Sequence, residues 1–252
     1  MLAILPCPVC AESCAPLDVV DFNKSCEEAQ GRHLPLAGIP VYYFFCDECG
    51  FCFAPEFGRW TPEDFARKIY NSDYVRVDPD YLDARPRANA DTLLTLFGDR
   101  GAQFTHLDYG GGGGLLSELL RKSNWQSTSH DPFVTGGVRL EGSGKFDLIT
   151  AFEVFEHVPD VLQLVSNLSA MLAPDGIVLF STMVSDGQLK RGQRINWWYA
   201  APRNGHISLF SKTSLILLGA AVGFNFTSFS AGFHAYWRKE VPAWARHVIK
   251  AG

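Results

Sequence analysis

A run of five glycines after a predicted strand constrains this chain more than any other feature. The pattern predicts a strand over Phe104 to Asp108, glycines from Gly110 to Gly114, and a helix over Leu115 to Lys122. Glycine lets the backbone turn sharply and lets a ligand lie against the main chain without a Cβ in the way. The N–H groups at the start of the next helix then face that ligand. The segment therefore predicts a ligand-binding loop between a strand and a helix.

The spacing of these glycines selects among three ligand classes. A dinucleotide loop needs G-x-G-x-x-G, but the sixth position counted from Gly110 is Leu115. A P-loop needs a Gly-Lys-Ser/Thr ending, which this segment lacks. The pattern that fits is D-x-G-x-G-x-G, formed by Asp108, Gly110, Gly112 and Gly114. An acid at the strand end suits a ligand with a cationic end, and S-adenosylmethionine (SAM) has an ammonium and a sulfonium but no phosphate.

A second acid follows at the end of the next predicted strand, Trp125 to His130. Asp131 lies 19 residues after Gly112. An acid about 20 residues past the glycines is where a ribose diol is held by hydroxyl-to-carboxylate hydrogen bonds. Phe133 is placed either to cover an adenine face or to pack in the core.

Strands and helices alternate through the rest of residues 100 to 238. Apolar runs predict strands over Phe146 to Phe152 and Ile177 to Val184, with a turn at 173–176 before the second. The last two predicted strands, 224–230 and 233–238, are separated by two residues and form a hairpin. Helices between strands imply a parallel sheet covered on both faces. The predicted fold is α/β, a Rossmann-like doubly wound sheet, mostly parallel with an antiparallel C-terminal hairpin.

Four segments in this order resemble the successive motifs of class I SAM-dependent methyltransferases. They are Asp108 to Gly114, Asp131, Phe146 to Val158, and Leu172 to Ile177, the last similar to that family's L-x-P-G-G turn. The resemblance implies that Asp108 and the glycines hold the methionine part of SAM and that Asp131 holds the ribose. It also implies a seven-stranded sheet. Only 15 residues follow Asp131 before Asp147, so one sheet edge is expected to be truncated.

Candidates for the chemistry lie beyond the predicted strand ends, where ligands sit in open α/β sheets. Glu153, Glu156 and His157 follow one strand, and the latter two could instead cap a helix opening at Pro159. The segment 196–207 is rich in aromatic residues, glycine and proline, and is predicted to line an acceptor pocket. We expect His206 to act there as a base or an acceptor-orienting group.

Secondary candidates surround these positions. Tyr199 is a further catalytic candidate, and Arg203 would suit an acceptor with a carboxylate or phosphate. Thr61 is predicted to cap a helix that runs from Pro62 toward Tyr74. In similar methyltransferases a tyrosine-bearing N-terminal helix covers the SAM site, which suggests cofactor-binding roles for Tyr70 and Tyr74. Amphipathic packing is the other reading of that helix.

Two C-x-x-C pairs mark the N-terminal segment as a metal module. Cys7 with Cys10, and Cys46 with Cys49, can present four thiolates to one ion, most naturally zinc. A redox role is less consistent, because neither pair opens a helix in a βαβ unit. We therefore predict a zinc-binding module over residues 1–58 and a methyltransferase domain over 59–252, with helices in 61–98 and the core in 100–238.

The net charge and the hydropathy of the chain limit the kinds of partner that we expect it to bind. The net charge of −5 argues against nucleic acid, which usually requires a basic surface. No apolar run is long enough to span a membrane, and the opening residues do not resemble a signal peptide, so we expect a cytoplasmic protein. The predicted acceptor is a small polar metabolite. A cysteine module followed by Tyr70-Asn71 and Tyr74 resembles bacterial sugar methyltransferases, which suggests a sugar or sugar nucleotide.

Two alternatives stay open at this point. An RNA methyltransferase is one, since zinc modules often contact RNA, although the chain lacks the Asn/Asp-Pro-Pro-Tyr/Phe sequence used for exocyclic base amines. A non-catalytic SAM- or zinc-dependent interaction module is the other, and loss of SAM affinity would favour it.

Overall fold

The structure, a computed structural model, describes residues 4–132 and 145–249 of the 252-residue chain. The strands are β1 Leu5–Pro6, β2 Ser13–Asp21, β3 Pro40–Cys46, β4 Cys52–Phe53, β5 Thr105–Tyr109, β6 Gln126–His130, β7 Phe146–Phe152, β8 Leu172–Ser181, β9 Ser208–Leu209, β10 Asn225–Ser228 and β11 Phe233–Trp237. The helices are α1 Pro62–Lys68, α2 Tyr74–Val77, α3 Ala84–Phe97, α4 Leu115–Lys122, α5 Val161–Met171 and α6 Lys212–Ala220. No helix among the described residues is both long and apolar enough to cross a membrane.

The chain forms two compact units, each discontinuous in sequence. The first, here called the cysteine unit, contains residues 4–79, 155–164 and 183–218. The second, the sheet unit, contains the described residues of 80–154, 165–182 and 219–249. The N-terminal segment is therefore folded together with two later segments of the chain, and each unit is described separately.

The cysteine unit is built on an antiparallel sheet in the order β1-β2-β3-β4-β9. β9 pairs with β4, which ties residues near 208 to the N-terminal strands. A buried apolar cluster fills this unit and includes Tyr43, Phe57 and Ile69 together with Trp197 and Tyr199. Because the aromatic segment 196–207 supplies part of this cluster, it belongs to the core of the unit.

The predicted first helix begins as expected and ends early. Thr61 Oγ1 accepts the N–H of Asp64, and Asp64 Oδ2 accepts the N–H of Thr61, a reciprocal capping box that confirms Thr61 as the N-cap. The helix stops at Lys68, and Asn71 donates from its side chain to the carbonyl of Arg67. That contact satisfies one of the carbonyls left over at a helix end. The prediction that one helix runs to Tyr74 was wrong, since α2 begins there as a separate turn.

The sheet unit contains a six-stranded sheet in the order β10-β11-β8-β7-β5-β6 within the described residues. β6, β5, β7 and β8 are parallel, and β11 pairs antiparallel with both β8 and β10. Side chains of α3, α4, β7, β8 and the C-terminal segment share one buried cluster, which includes Leu93, Leu120 and Ile177. The parallel strands therefore bring the ends of β5, β6 and β7 to one edge.

The predicted turn at 173–176 lies inside β8 as an irregularity. Phe146 pairs with Leu172 while Leu148 pairs with Ile177, so β8 has extra residues against β7 at this point. A Cβ on Gly176 would lie 2.9 Å from the carbonyl oxygen of Asp147. Glycine is needed there because the two backbones approach closely.

Candidate functional site

The glycine loop joins β5 to α4 at the carboxyl edge of the parallel strands. Gly110 and Gly112 have positive φ values of 75° and 52°, which favour glycine. The Gly110 N–H donates to the carbonyl of His130 at 2.7 Å, and Gly114 directly precedes the first residue of α4. The loop therefore lies between the ends of β5 and β6, where the sequence analysis predicts the cofactor.

Asp108 lies under this loop and is almost completely buried. Its Oδ1 accepts a hydrogen bond from Thr150 Oγ1 at 3.1 Å. Asp108 Oδ2 and the neighbouring Ser129 Oγ have no hydrogen-bond partner among the described residues. A Cβ on Gly111 would overlap both of these oxygens. Buried polar atoms normally have hydrogen-bond partners, so a ligand bound at this loop could supply the missing hydrogen bonds to these two oxygens from its own donors.

Burial governs the charge state around Asp108. Desolvation raises the pKa of Asp108 to about 7, with the Thr150 hydrogen bond opposing the rise and the Asp131 charge adding to it. His106 lies two residues before Asp108 on β5. Its Nε2 is 2.9 Å from Thr150 Oγ1, and its Nδ1 is 2.7 Å from Ser127 Oγ. Complete burial lowers the pKa of His106 to about 3, so this ring is neutral. Asp108 is thus the titrating member of this network near neutral pH.

Of the two remaining predicted cofactor residues, Asp131 and Phe133, the structure describes only Asp131. Asp131 Oδ2 accepts the Gly112 N–H at 2.9 Å, so the second acid is joined to the glycine loop. That position is consistent with a ribose contact, which remains a prediction. Phe133 lies outside the described residues.

Glu153 occupies the carboxyl end of β7 in the sheet unit. Its φ of 53° is left-handed, which costs a non-glycine residue about 1 kcal/mol. The conformation is fixed by Ser181, whose Oγ accepts the Glu153 N–H at 2.8 Å and donates to Glu153 Oε1 at 2.6 Å. A carboxylate held this firmly at a strand end is suited to orient a bound polar group.

His206 and Tyr199 lie together in the cysteine unit. His206 Nδ1 lies 2.8 Å from the carbonyl oxygen of Tyr199, and Tyr199 donates from its hydroxyl to Glu156 Oε1 at 2.5 Å. The imidazole of His157 completes the group, 5.0 Å from His206 between ring centroids. All four side chains are buried or partly buried. The structure therefore places the predicted catalytic residues Tyr199 and His206 in one group with Glu156 and His157.

The capping alternative for Glu156 and His157 was wrong. Asp160 Oδ1 accepts the N–H of Gln163 at 2.9 Å, so Asp160 caps the first turn of α5. Aspartate is the better cap because its short side chain reaches back to the backbone, whereas Glu156 is directed toward Tyr199. Both residues instead make hydrogen bonds within the cysteine unit, Glu156 with the Tyr199 hydroxyl and His157 with the carbonyl of Gly205.

Three other predicted residues lie in the cysteine unit. Arg203 is buried and donates from Nη1 to the carbonyl of Ile69 at 3.0 Å, and its contact with an acceptor anion stays a prediction. Tyr70 and Tyr74 stack edge to face with ring centroids 5.1 Å apart. Tyr74 is buried and donates to the carbonyl of Asn204 at 3.3 Å. Their predicted contact with SAM remains a prediction.

The four predicted metal cysteines converge at one end of the β2–β3 ladder. Cys7 and Cys49 sulfurs are 3.6 Å apart, and those of Cys10 and Cys46 are 3.5 Å apart. All four sulfurs lie within 4.8 Å of one another. A tetrahedral zinc with bonds of about 2.3 Å separates its sulfurs by roughly 3.8 Å. The donor set and its dimensions therefore fit a zinc ion.

Comparison with known proteins agrees with this geometry. A family model described as a methyltransferase domain matches residues 81–228, which is more than half of the chain. The ubiquinone biosynthesis O-methyltransferase of Actinobacillus pleuropneumoniae serotype 7 is 31% identical over 151 residues, covering 49% of this chain and 58% of that protein. Its counterpart in Xanthomonas campestris is 33% identical over 155 residues, covering 52% and 59%. The chain thus spans less than two thirds of these relatives.

Solved structures show the same fold at low identity. The 1,6-didemethyltoxoflavin-N1-methyltransferase of Burkholderia thailandensis matches with a TM-score of 0.50 and 19% identity, over 81% of this chain and 96% of that one. An O-methyltransferase family protein of the same organism matches with a TM-score of 0.51 and 13% identity, over 73% and 66%. By the extent of the family match, together with this fold, the chain belongs to the methyltransferase-domain family.

Proposed function

We propose that this protein transfers a methyl group from SAM to a hydroxyl oxygen of a small-molecule acceptor. The observation that carries the proposal is the open glycine loop above Asp108, a buried acid with one oxygen left unpaired among the described residues. It lies inside the segment that the methyltransferase-domain family matches.

The residues around this loop fit SAM better than a phosphate cofactor. Asp108, Ser129 and Asp131 present oxygens to the loop and no basic side chain takes part in the hydrogen bonds described there. An ammonium group has donors and positive charge for such oxygens, whereas a pyrophosphate has neither. When bound, SAM supplies an electrophilic methyl group on its sulfonium. The protein's task is then to orient and desolvate the reactants.

Three side chains are proposed to act on the acceptor. Glu153 is held at the end of β7 by Ser181, and Tyr199 and His206 are joined through the Tyr199 carbonyl. We propose that these residues orient the acceptor or receive its proton, as expected for transfer to a hydroxyl. Tyr70 and Tyr74 are proposed to cover the cofactor.

Relatives favour oxygen as the acceptor atom. The matching proteins of Actinobacillus pleuropneumoniae and Xanthomonas campestris are named O-methyltransferases of ubiquinone biosynthesis. Neither name supports the expected carbohydrate, and neither supports RNA, which the net charge of −5 also disfavours. We therefore propose a small hydroxylated metabolite other than a sugar.

The four-cysteine cluster is proposed to hold a structural zinc ion. Its four sulfurs lie within 4.8 Å of one another, which is close to the spacing of thiolates around a tetrahedral zinc ion. Four thiolates fill a tetrahedral ion and leave no open position, so this zinc would stabilise the fold and take no part in the transfer.

Calorimetric titration with S-adenosylhomocysteine (SAH) tests the cofactor, using the parent chain, Asp131→Ala, and Asp175→Ala as a matched control at an acid outside the loop. We expect clear binding by the parent and control and at least tenfold weaker binding by Asp131→Ala. Transfer of a labelled methyl group to phenols, catechols, sugars and RNA then tests the acceptor, with phenols and catechols expected to react. A folded parent that does not bind SAH would contradict the proposal and favour an interaction module.

A further inference from the structure

Besides the four cysteines, the cysteine unit contains a second group of side chains of types that commonly bind metals. A carboxylate oxygen of Glu156 and one imidazole nitrogen each of His157 and His206 lie within 4.8 Å of one another. Glu156 is fully buried, His206 is 5% exposed, and the His157 side chain is 14% exposed. His157 Nε2 and Glu156 Oε1 are 3.9 Å apart. An ion with bonds of about 2.0–2.2 Å is reached from such positions by small side-chain adjustments.

Backbone carbonyls fix which nitrogen of each histidine carries the proton. His157 Nδ1 lies 3.2 Å from the carbonyl oxygen of Gly205, and His206 Nδ1 lies 2.8 Å from that of Tyr199. A carbonyl oxygen only accepts, so each Nδ1 is the donor. The lone pair of each neutral ring is therefore on Nε2. Histidines that bind metal almost always donate their other ring nitrogen to a carbonyl or carboxylate, and both rings here are arranged in this way.

The carboxylate has matching support. Tyr199 donates from its hydroxyl to Glu156 Oε1 at 2.5 Å, which orients the carboxylate. Ligating carboxylates are typically hydrogen-bonded in this manner. Burying a carboxylate is costly unless positive charge compensates it, and a divalent cation between the three groups would supply that charge.

We propose that Glu156, His157 and His206 form a site for a divalent first-row transition metal. Two imidazoles and one carboxylate suit zinc, ferrous iron or cobalt, and they form a three-ligand set that leaves coordination positions open. An oxygen ligand such as a hydroxyl or carboxylate group can occupy an open position. In this site His206 takes the first of its two proposed roles and orients the acceptor through the metal ion. It does not receive the acceptor's proton, because its Nε2 lone pair is bound to the metal.

Cobalt is the probe that separates this site from the four cysteines. The full chain is first loaded with a single equivalent of Zn²⁺, which four thiolates bind in preference to two imidazoles and one carboxylate, and mass spectrometry verifies one zinc per chain. It is then titrated with Co²⁺, and visible absorption follows the binding. Cobalt bound by nitrogen and oxygen lacks the sulfur-to-metal charge-transfer band that thiolate ligands produce. The variants are Glu156→Gln, which retains an oxygen for the Tyr199 hydrogen bond, and His206→Gln. The matched control is His33→Gln, whose side chain is 66% exposed and lies outside the cluster.

We expect the parent and His33→Gln to bind one equivalent of Co²⁺ without the sulfur band. Both cluster variants should bind it at least 100-fold more weakly while their near-ultraviolet circular dichroism stays that of the parent. Three results would overturn the proposal: no uptake by the zinc-loaded parent, uptake with a sulfur band, or equal affinity in a folded Glu156→Gln. The last result would mean that a hydrogen-bond network alone accounts for the cluster. SAH binding is measured separately, so failure here leaves the proposed function untouched.

Discussion

Replacing Asp108 by asparagine tests whether the buried acid is retained for ligand binding at a cost in stability. Asparagine has nearly the same shape, and its side-chain oxygen can still accept the hydrogen bond from Thr150. Its amide group can donate toward Ser129 Oγ, which has no partner among the described residues. The substitution therefore removes a buried charge and keeps the contacts. We expect Asp108→Asn to be more stable than the parent in the absence of ligand.

The size of the effect follows from the raised pKa. Burial moves the pKa of Asp108 from 3.8 to about 7, and each pKa unit corresponds to about 1.4 kcal/mol. Between these two values the folded state binds more protons than the unfolded state. The free energy of unfolding of the parent therefore falls as pH rises from about 4 to about 7 and then levels off. Relative to Asp108→Asn, the parent is less stable by about 2 kcal/mol at pH 5 and by about 4 kcal/mol at pH 8, as upper values.

Urea unfolding at these two pH values measures the difference. Trp125 reports on this part of the sheet unit by fluorescence, since its ring lies 5.9 Å from His106 and 5.2 Å from Phe104 between centroids. Comparing parent and variant at each pH cancels the titration of every other group. The stability gap should widen by about 2 to 3 kcal/mol from pH 5 to pH 8. A gap that is the same at both values would refute the argument that Asp108 is protonated by burial.

Ligand binding should show the opposite preference. The SAH ammonium favours the ionised carboxylate, so the SAH affinity of the parent should rise up to about tenfold per pH unit below the pKa of Asp108 and level off above it. Asp108→Asn should bind SAH more weakly at pH 8 and lose this pH dependence. If the variant bound SAH as tightly as the parent at pH 8, the carboxylate would have no part in holding the cofactor.

Three further outcomes are expected from single substitutions. Asp131→Ala should weaken SAH binding by at least tenfold in calorimetry, because it removes a carboxylate hydrogen-bonded to the glycine loop; unchanged affinity would exclude a ribose contact. Gly111→Ala should lower the free energy of unfolding by about 1–3 kcal/mol through overlap with the acid beneath it, whereas Gly113→Ala, with open space around its Cβ, should leave urea unfolding unchanged. Cys10→Ser should release zinc measured by mass spectrometry and lower the melting temperature, and retention of one zinc per chain would contradict the four-thiolate site.

Much of the sheet unit could be predicted because its signals are local. The strand Phe146–Phe152 and the helix Leu115–Lys122 have the bounds that apolar runs and flanking glycines indicated. The glycine loop was identified because its residue types have few alternatives at that spacing. The reciprocal capping of Thr61 was likewise readable from four consecutive residues.

The side-chain networks could not be read in the same way, since they depend on strand register. His106, Ser127 and Thr150 meet because β5 pairs with β6 on one side and β7 on the other. His106 is 21 residues from Ser127 and 44 residues from Thr150 in the sequence, and these separations do not predict contact unless the strand register is known. The only available signal was a histidine inside a predicted strand, and a histidine there does not identify its partners. Ser129 was missed for the same reason.

The segment 196–207 shows what composition alone leaves open. Its aromatic and glycine-rich composition predicted the lining of an acceptor pocket, and in the structure Trp197 and Tyr199 pack into the unit's buried core. Burial is what gives Glu156 and His206 their chemical interest, because an acid and two imidazoles withdrawn from water must be compensated by hydrogen bonds or by a cation. Asp108 presents the same situation in the sheet unit. Each unit therefore keeps a buried acid next to polar groups, and the ligand that each acid binds can be determined by its own titration, SAH for Asp108 and cobalt for Glu156.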